Sequence, residues 1–254
     1  MTETIPLPPT PVLETARLIL RPLEERDIPA VQRIFPQWEV VRHLRAAFPW
    51  PLPAEAIAAN MAQSLEQLAR REKFGWAITL KGSDELRGFI ELEPDDGKSQ
   101  DMRGFWLDPE LQGRGLMTEA ADAVTRYAFE TLGWPHLYLN NALANVASAR
   151  IKARQGAVEI RREPMIYVAG PDERQVWLLT REAWQARRAP VLPPTPVLET
   201  ARLVLRPLEA RDVPAIQRLF GQWEVVRFLL AKTPWPYPAD GAATNMAECL
   251  EKRA

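Results

Sequence analysis

The sequence predicts an α/β fold with a mixed, mostly antiparallel central sheet, helices on both faces of that sheet, and a C-terminal partial repeat of one strand and two helices. Segments of strand and helix periodicity alternate along residues 13–185, which is typical of helices packed on a sheet. Residues 7–42 also recur at 192–227 without a gap. We therefore expect a complete domain at 13–185, a proline-rich linker at 186–197, and a truncated repeat of the domain's first third at 198–254.

The beginning of the domain predicts one strand and two helices. The alternating, β-branched stretch "ARLILR" (16–21) indicates a strand. The stretch "DIPAVQRIF" indicates a helix with Asp27 as N-cap and proline in the first turn. A second helix is expected over 54–71, because the apolar residues there recur at helical spacing on one face.

The remainder of the domain predicts six more strands and two more helices. The strands are expected at 74–80, 86–92, 102–107, 136–140, 157–161 and 175–180. One helix is expected from about 115 to 132 and a shorter one from 145 to 154.

The repeat matches residues 7–69 to residues 192–254, and roughly 44 of the 63 aligned positions are identical. Differences such as Ile19 against Val204 exchange one apolar residue for another, which preserves a core. Residues from about 73 to 180 have no counterpart in the second copy. Since a single strand and two helices cannot cover their own apolar faces, we expect the second copy to dock on the domain, to swap into a second chain as a homodimer, or to stay partly unfolded.

Composition narrows the classes of function. The 254 residues carry 32 basic and 33 acidic side chains, so no overall positive field would draw the protein to nucleic acid or to a membrane surface. Cys249 is the only cysteine and there are two histidines, so neither an internal disulfide nor a metal site is expected. No apolar run approaches the ~20 residues of a membrane helix, and we expect a cytoplasmic location.

The stretch "LDPELQGRGLMTEA" (107–120) is the strongest functional signal. Gly113 and Gly115 permit a tight turn between a strand and a helix, in which consecutive N–H groups and the positive end of the helix dipole converge. This pattern predicts a diphosphate site, although glycines of a purely structural turn would look the same. The lysine and hydroxyl residue of a P-loop are missing, and Thr118 stands where a dinucleotide fingerprint needs its third glycine.

Together with "TARLILRPLEERD" at the first strand and "NVASARIKARQGA" at a later helix, this motif resembles the GCN5-related N-acetyltransferases (GNAT), in particular the branch that acetylates ribosomal protein N-termini. The resemblance covers about residues 13–182. It implies the GNAT fold, with acetyl-CoA as co-substrate in a cleft between two splayed strands, and an amine acceptor. The residues that it implies for cofactor binding are Leu107, Gln112, Gly113, Arg114, Gly115, Leu116, Met117, Thr118, Asn145 and Ser148.

Two of these positions, and three others on the later helix, carry alternatives or departures. Asn145 is equally expected as a plain N-cap of its helix. Met117 replaces the usual small residue of the motif but still offers a backbone N–H group. Lys152 stands where many relatives have the tyrosine that protonates the departing thiolate, so the acid is not identified. Arg150 and Arg154 could contact the 3′-phosphate of the adenosine or simply form a solvated charged face.

The chemistry of acetyl transfer requires a base for the amine, and two carboxylates are candidates. Asp101 lies where some relatives carry a glutamate base, and Glu91 lies on the preceding strand. Either could instead be an ordinary solvated carboxylate. Glu119 is a weaker candidate, because the helix dipole already explains an acidic residue in a first turn.

The sequence indicates less about the acceptor site than about the cofactor site. The stretch "FPWPLP" (48–53) and the helices around it would form the acceptor wall, lined by Trp38, His43, Arg45 and Trp50, although such aromatic residues are often core. The leading hypothesis is an acetyl-CoA-dependent N-acetyltransferase that acts on a protein N-terminus or a small amine. The alternative is a non-catalytic acyl-CoA-binding or assembly module.

Overall fold

The strand patterns of the first part of the chain form a five-stranded antiparallel sheet. In the computed structural model, which describes residues 6–46, 50–188, 195–228 and 235–251, its strands lie in the order β1-β2-β3-β4-β5. They are β1 (Leu13–Glu14), β2 (Leu18–Pro22), β3 (Phe74–Leu80), β4 (Gly88–Leu92) and β5 (Phe105–Leu107). The strand expected at 102–107 is therefore shorter than predicted, although the Glu91 and Glu93 N–H groups still donate to the Gly104 and Met102 carbonyls at 2.9 and 2.8 Å.

A second antiparallel sheet holds the later strands, β6 (His136–Ala142), β7 (Val158–Tyr167) and β8 (Gly170–Thr180), in the order β6-β8-β7. β7 and β8 form a hairpin that is longer than the predicted strands. The Met102 N–H donates to the Tyr138 carbonyl at 2.9 Å, which ties the two sheets together where β5 and β6 separate. The predicted α/β class with a mostly antiparallel sheet is confirmed, and the sheet is divided into two parts.

Helices cover both faces of the five-stranded sheet. In the first part of the chain the described helices are α1 (Ile28–Ile34), α2 (Trp38–Val41), α3 (Ala54–Ala69), α4 (Leu116–Arg126), α5 (Val146–Gln155) and α6 (Arg181–Arg188). Of these, α5 and α6 pack on the three-stranded sheet. A π-helical turn, Tyr127–Thr131, extends α4 to nearly the predicted end. One core cluster packs α4 against Leu18, Leu20 and Trp76, and a second packs α1 and α3 against the other face.

Asp27 is the N-cap residue of α1, as predicted. Its side chain, however, makes no cap hydrogen bond to that helix. Its carboxylate instead accepts from both Arg21 guanidinium nitrogens, at 2.9 and 2.7 Å, and from the Glu24 N–H at 2.9 Å. Because Arg21 and Asp27 are both buried, this ion pair anchors the start of α1 to β2.

The chain divides into two compact units, residues 1–189 and 190–254. The second unit contains β9 (Leu198–Glu199), β10 (Val204–Leu205), α7 (Val213–Phe220), α8 (Trp223–Val226) and α9 (Gly241–Glu251). The expected single strand and two helices are thus a short antiparallel ladder and three helices. Part of the predicted linker, 189–194, lies outside the described residues.

Side chains that the sequence repeats differ in burial between the two units. Leu18 and Leu20 are both 0% exposed beside β3, whereas their counterparts Leu203 and Leu205 are 61% and 52% exposed. In the first unit β3 pairs with the edge of β2 along Leu18–Pro22, and the core cluster that contains α4 covers the side chains of Leu18 and Leu20. Among the described helices of both units, none is long and apolar enough to cross a membrane.

Candidate functional site

The turn before α4 has the backbone geometry of an anion site. Gly113 and Gly115 have φ values of +74° and +75°, in the left-handed region that glycine tolerates best. Gly115 is the N-cap of α4, and the Glu119 N–H donates to the Gly115 carbonyl at 3.1 Å. The N–H groups of residues 116–118 precede that bond and lie at the positive end of the helix dipole. A Cβ at Gly113 would meet no protein atom within 4 Å, so the turn is open there.

Side chains from β4 and the preceding turn hold this backbone in place. Asp108 caps a short helical turn by accepting from the Glu110 N–H at 3.0 Å, and Arg87 donates to Asp108 at 2.9 Å. The Gln112 amide donates to the Leu107 carbonyl at 3.0 Å. Gln112 therefore has a structural role beside the cofactor role that its motif predicts, because it closes the turn onto β5.

A clasp from the start of β2 fixes the first turn of α4. Glu119 accepts from the Thr15 hydroxyl at 2.6 Å, from the Arg17 N–H at 2.8 Å and from Arg17 Nε at 2.7 Å. Arg17 Nη1 also donates to the Arg114 carbonyl at 2.9 Å. Burial acts to raise the pKa of Glu119, but these hydrogen bonds lower it below its usual value. Glu119 is thus occupied in structure and poorly suited to accept a proton.

A cavity of about 660 Å³, here named the turn cavity, lies between this turn and α5. Nine of the ten predicted cofactor-binding residues line it, and the exception is Arg114. The cations Arg150, Arg154 and Arg187 also line it. Asn145 has a structural role as well, because its Oδ1 accepts from the Ser148 N–H at 3.1 Å and caps α5.

A second cavity of about 620 Å³, here named the strand cavity, is bounded by α3, β4, β5 and β6. Both predicted base candidates, Asp101 and Glu91, line it. The two cavities meet, because six residues line both of them: Val40, His43, Phe105, Trp106, Asn145 and Ser148. The two cavities are therefore adjacent at these side chains.

Asp101 lies deep in the strand cavity, although 33% of its side chain remains exposed to the cavity. Burial raises the pKa of its carboxyl, and a hydrogen bond from Asn140 and the charges of Arg45 and Arg174 oppose that shift only in part. Arg45 Nη2 is 3.6 Å from its carboxylate. Asp101 thus retains much of its proton affinity and faces open space, as a general base requires.

The segment before Asp101 is fixed by the three-stranded sheet. Arg174 Nη2 donates to the Ser99 carbonyl and, at 3.2 Å, to the Gln100 carbonyl. The Asn140 amide donates to the Gln100 carbonyl at 3.3 Å. Because Gln100 has a positive φ of 47°, these bonds hold a turn that aims the chain at the cavity.

The carboxylate of Glu91 is held more tightly by neighbouring groups than that of Asp101. Its Oε2 accepts from Lys73 Nζ at 2.8 Å, and its side chain packs so closely over Gly104 that a Cβ there would lie 2.7 Å from Oε1. Glu93 shares the same lysine at 3.8 Å, and burial together with the charge of Glu91 raises its pKa. The ion pair therefore ranks Glu91 below Asp101 as a base.

The predicted acceptor residues divide into two groups. His43 and Arg45 line the strand cavity, and burial, with help from Arg42, lowers the pKa of His43. Trp38 and Trp50 pack against each other at 5.4 Å between ring centroids and do not appear among the residues lining either cavity in the described part of the chain. Residues 48 and 49 of the predicted wall lie outside the described residues.

Sequence reasoning missed several residues that line the strand cavity. Tyr167 arrives from the β7–β8 hairpin, and burial raises its pKa to about 12. Arg103 and Lys73 also line it and are almost fully buried. Alternation along β4 could have suggested Glu93 beside Glu91, but no local pattern marks the others. Within the described ranges, no group of three or more His, Cys, Asp or Glu side chains could hold a metal ion.

Comparison with known proteins identifies a matching family model, a related protein and solved structures with a similar fold. A family model described as an acetyltransferase (GNAT) domain matches residues 17–158. The Bacillus subtilis (strain 168) protein named "Uncharacterized N-acetyltransferase YoaA" is 28% identical over 148 residues, which cover 58% of this chain and 82% of that protein.

Two solved structures show the same fold. One from T. thermophilus, assigned as an acetyltransferase, matches with a TM-score of 0.57 and 24% identity, covering 73% of this chain and 96% of its own. RimL, a ribosomal L7/L12 alpha-N-protein acetyltransferase solved in complex with coenzyme A, matches with a TM-score of 0.57 and 17% identity, covering 68% of this chain and 99% of its own.

Proposed function

The chain belongs to the GNAT acetyltransferase family and is an acetyl-CoA-dependent N-acetyltransferase, and on this basis we propose that it transfers the acetyl group directly to a primary amine with Asp101 as general base. The acceptor is a protein N-terminus or a small-molecule amine. The observation that carries the proposal is that the turn cavity and the strand cavity meet at Asn145 and Ser148. A donor in the first can therefore face an amine in the second.

The turn cavity fits the diphosphate of acetyl-CoA. Left-handed Gly113 and Gly115 leave the backbone approachable, and the free N–H groups at the start of α4 supply donors. Gln112, Met117 and Thr118 would lie beside the phosphates, and Leu107 beside the pantetheine. Acetyl-CoA supplies an activated thioester, and this chain supplies its orientation.

The strand cavity would hold the amine and remove its proton. The attacking nitrogen must be neutral and close to the carbonyl carbon, and a positioned carboxylate accepts the proton that it loses on forming the new bond. Asp101 is the better placed of the two candidates, because Glu91 is already paired with Lys73. Burial of Asp101 favours proton uptake, because it raises the pKa of the carboxyl above its usual value.

Release of free thiol from acetyl-CoA, measured over a panel of peptides and small amines, tests this proposal. Steady release with one class of acceptor would identify the substrate class. Acetyl-CoA binding without release over the whole panel would contradict it and favour the non-catalytic module. Product mass determines whether the acetyl group is on an amine.

The homodimer or segment swap proposed for residues 198–254 draws support from burial. The side chains that pack against α4 in the first unit are exposed in the second, as Leu203 and Leu205 show. A strand and a helix equivalent to β3 and α4 of a second chain would match the edge and the face of that segment, because the underlying sequence is nearly the same. Light scattering of the full chain and of a variant without residues 190–254 tests this: a dimer that becomes a monomer supports it, and two monomers reject it.

A further inference from the structure

A lysine is completely buried close to the place where the two cavities meet. Lys152, on α5, is 1% exposed, and its Nζ lies 2.6 Å from Ser148 Oγ and 5.5 Å from the centroid of the Phe105 ring. None of the ion pairs among the described residues includes Lys152. Ser148 and Phe105 each line both cavities. This ammonium group is therefore held next to the site without a carboxylate partner.

A second buried basic side chain lies over the same Phe105 ring. Arg103 is 3% exposed, its guanidinium lies 5.9 Å from the Phe105 centroid, and its Nη1 donates to Thr125 at 2.5 Å. Its Nε and Nη2 have no hydrogen-bond partner. Burial and then the charge of Arg103 lower the pKa of Lys152 well below its usual value, while Asp101 opposes the shift. The cluster has an excess of positive charge, which favours an anion nearby.

Such a cluster costs stability, since a buried amine without a counterion loses its hydration. An apolar residue in place of Lys152 would avoid that cost. Its retention in an otherwise well-packed core suggests a role in function, because active sites commonly trade stability for activity.

The hydrogen bond between Lys152 and Ser148 has a defined consequence. Nζ carries N–H groups whether or not it is charged, so it can donate to Ser148 Oγ in either state. When Oγ accepts this bond, its own O–H group is free to donate elsewhere. Because Ser148 lines both cavities, its O–H group can donate towards the region where the two cavities adjoin.

We propose that Lys152 is a positioning residue that orients the Ser148 hydroxyl to donate a hydrogen bond to the sulfur atom as it leaves the acetyl group. This inference rests on the proposed acetyl transfer. The amine nitrogen forms a bond to the carbonyl carbon and gives its proton to Asp101, and the carbon–sulfur bond breaks. The sulfur keeps the electron pair as a thiolate, which the Ser148 hydroxyl stabilises, and Asp101 passes its proton to water.

The test compares Lys152→Met, Ser148→Ala and the double variant. Lys152→Met should lower kcat by roughly 10- to 100-fold, as expected for one hydrogen bond to a charged group, with the Kd for acetyl-CoA within about twofold of the wild type. Because Lys152 acts through Ser148, the double variant should be no slower than the slower single variant. Ser148→Thr retains the hydroxyl and should recover most of the activity that Ser148→Ala loses.

Two readouts do not depend on turnover. The melting temperature of unliganded Lys152→Met should rise, since a buried cation is removed. The ultraviolet absorbance of bound CoA should show the thiolate forming at a lower pH in the wild type than in Lys152→Met. Multiplicative losses in the double variant, or an unchanged kcat with a lower melting temperature, would overturn the inference. If the wild type itself releases no thiol with any amine, the proposed function fails instead.

Discussion

Replacing Gly115 with valine perturbs the turn at the start of α4 at its most constrained position. Gly115 has a φ of +75° and is the N-cap of the helix. A β-branched residue rarely adopts this conformation, so valine either strains the turn or rotates it. Rotation would redirect the N–H groups that face the turn cavity.

The expected losses of stability and of acetyl-CoA affinity follow from backbone strain and from lost hydrogen-bond donors. Space is sufficient, because a Cβ at Gly115 would approach nothing closer than Arg17 Nη2 at 3.6 Å. The left-handed conformation costs about 1–2 kcal/mol for a side chain, which lowers the melting temperature of a unit of this size by roughly 2–8 °C. Each hydrogen bond lost from the diphosphate should weaken acetyl-CoA binding roughly 10- to 100-fold.

Gly82→Val is the matched control for this experiment. Gly82 has a φ of +87°, and no protein atom lies within 4 Å of a Cβ placed there. It belongs to the turn between β3 and β4 and does not line either cavity in the described residues. Both variants should lose similar thermal stability, and calorimetric titration should show weaker acetyl-CoA binding only for Gly115→Val. Equal affinity in the two folded variants would refute the diphosphate assignment.

Three further predictions concern charged residues. Asp101→Asn should lower turnover by about 10²–10⁴-fold at neutral pH with acetyl-CoA affinity unchanged, and Glu91→Gln should lower it less, because the latter carboxylate is already ion-paired. Wild-type kcat/KM should increase as the pH rises through the raised pKa of Asp101, since only the carboxylate accepts a proton, and a flat profile would assign the base elsewhere. In urea denaturation, Asp27→Ala should lose about 3 kcal/mol by leaving Arg21 buried without its bidentate partner, whereas Asp212→Ala should lose little because the corresponding pair is exposed.

The order and type of the elements could be predicted because they depend on local patterns. Strand alternation placed β2 and β3, and the glycine turn placed the start of α4, within a few residues. The errors arose where tertiary contacts override local preference. Asp27 is a residue type that commonly caps helices, but its carboxylate is bound by Arg21 from the neighbouring strand. Likewise no local pattern predicts that the Met102 N–H group donates to Tyr138 of the other sheet.

Only the part of the candidate site that is built from residues close together in the sequence could be predicted. Most residues of the turn cavity come from two continuous motifs, 107–120 and 145–157, so many of them could be named from the sequence. The strand cavity combines His43, Asp101 and Tyr167 from segments far apart in the chain, and no spacing rule connects them. Arg150 and Lys152 look alike in a charged helix, yet one is exposed and the other is fully buried, a difference that only packing determines.

The wall that the two cavities share has a consequence for kinetics. Residues such as Phe105 and Trp106 border both cavities, so the proposed direct transfer requires both substrates to be bound together in a ternary complex. Any ordering of this wall by one substrate would then alter the affinity for the other. By thermodynamic linkage, the factor by which acetyl-CoA tightens amine binding equals the factor by which the amine tightens acetyl-CoA binding. The saturating concentration of each substrate is therefore a function of the concentration of the other.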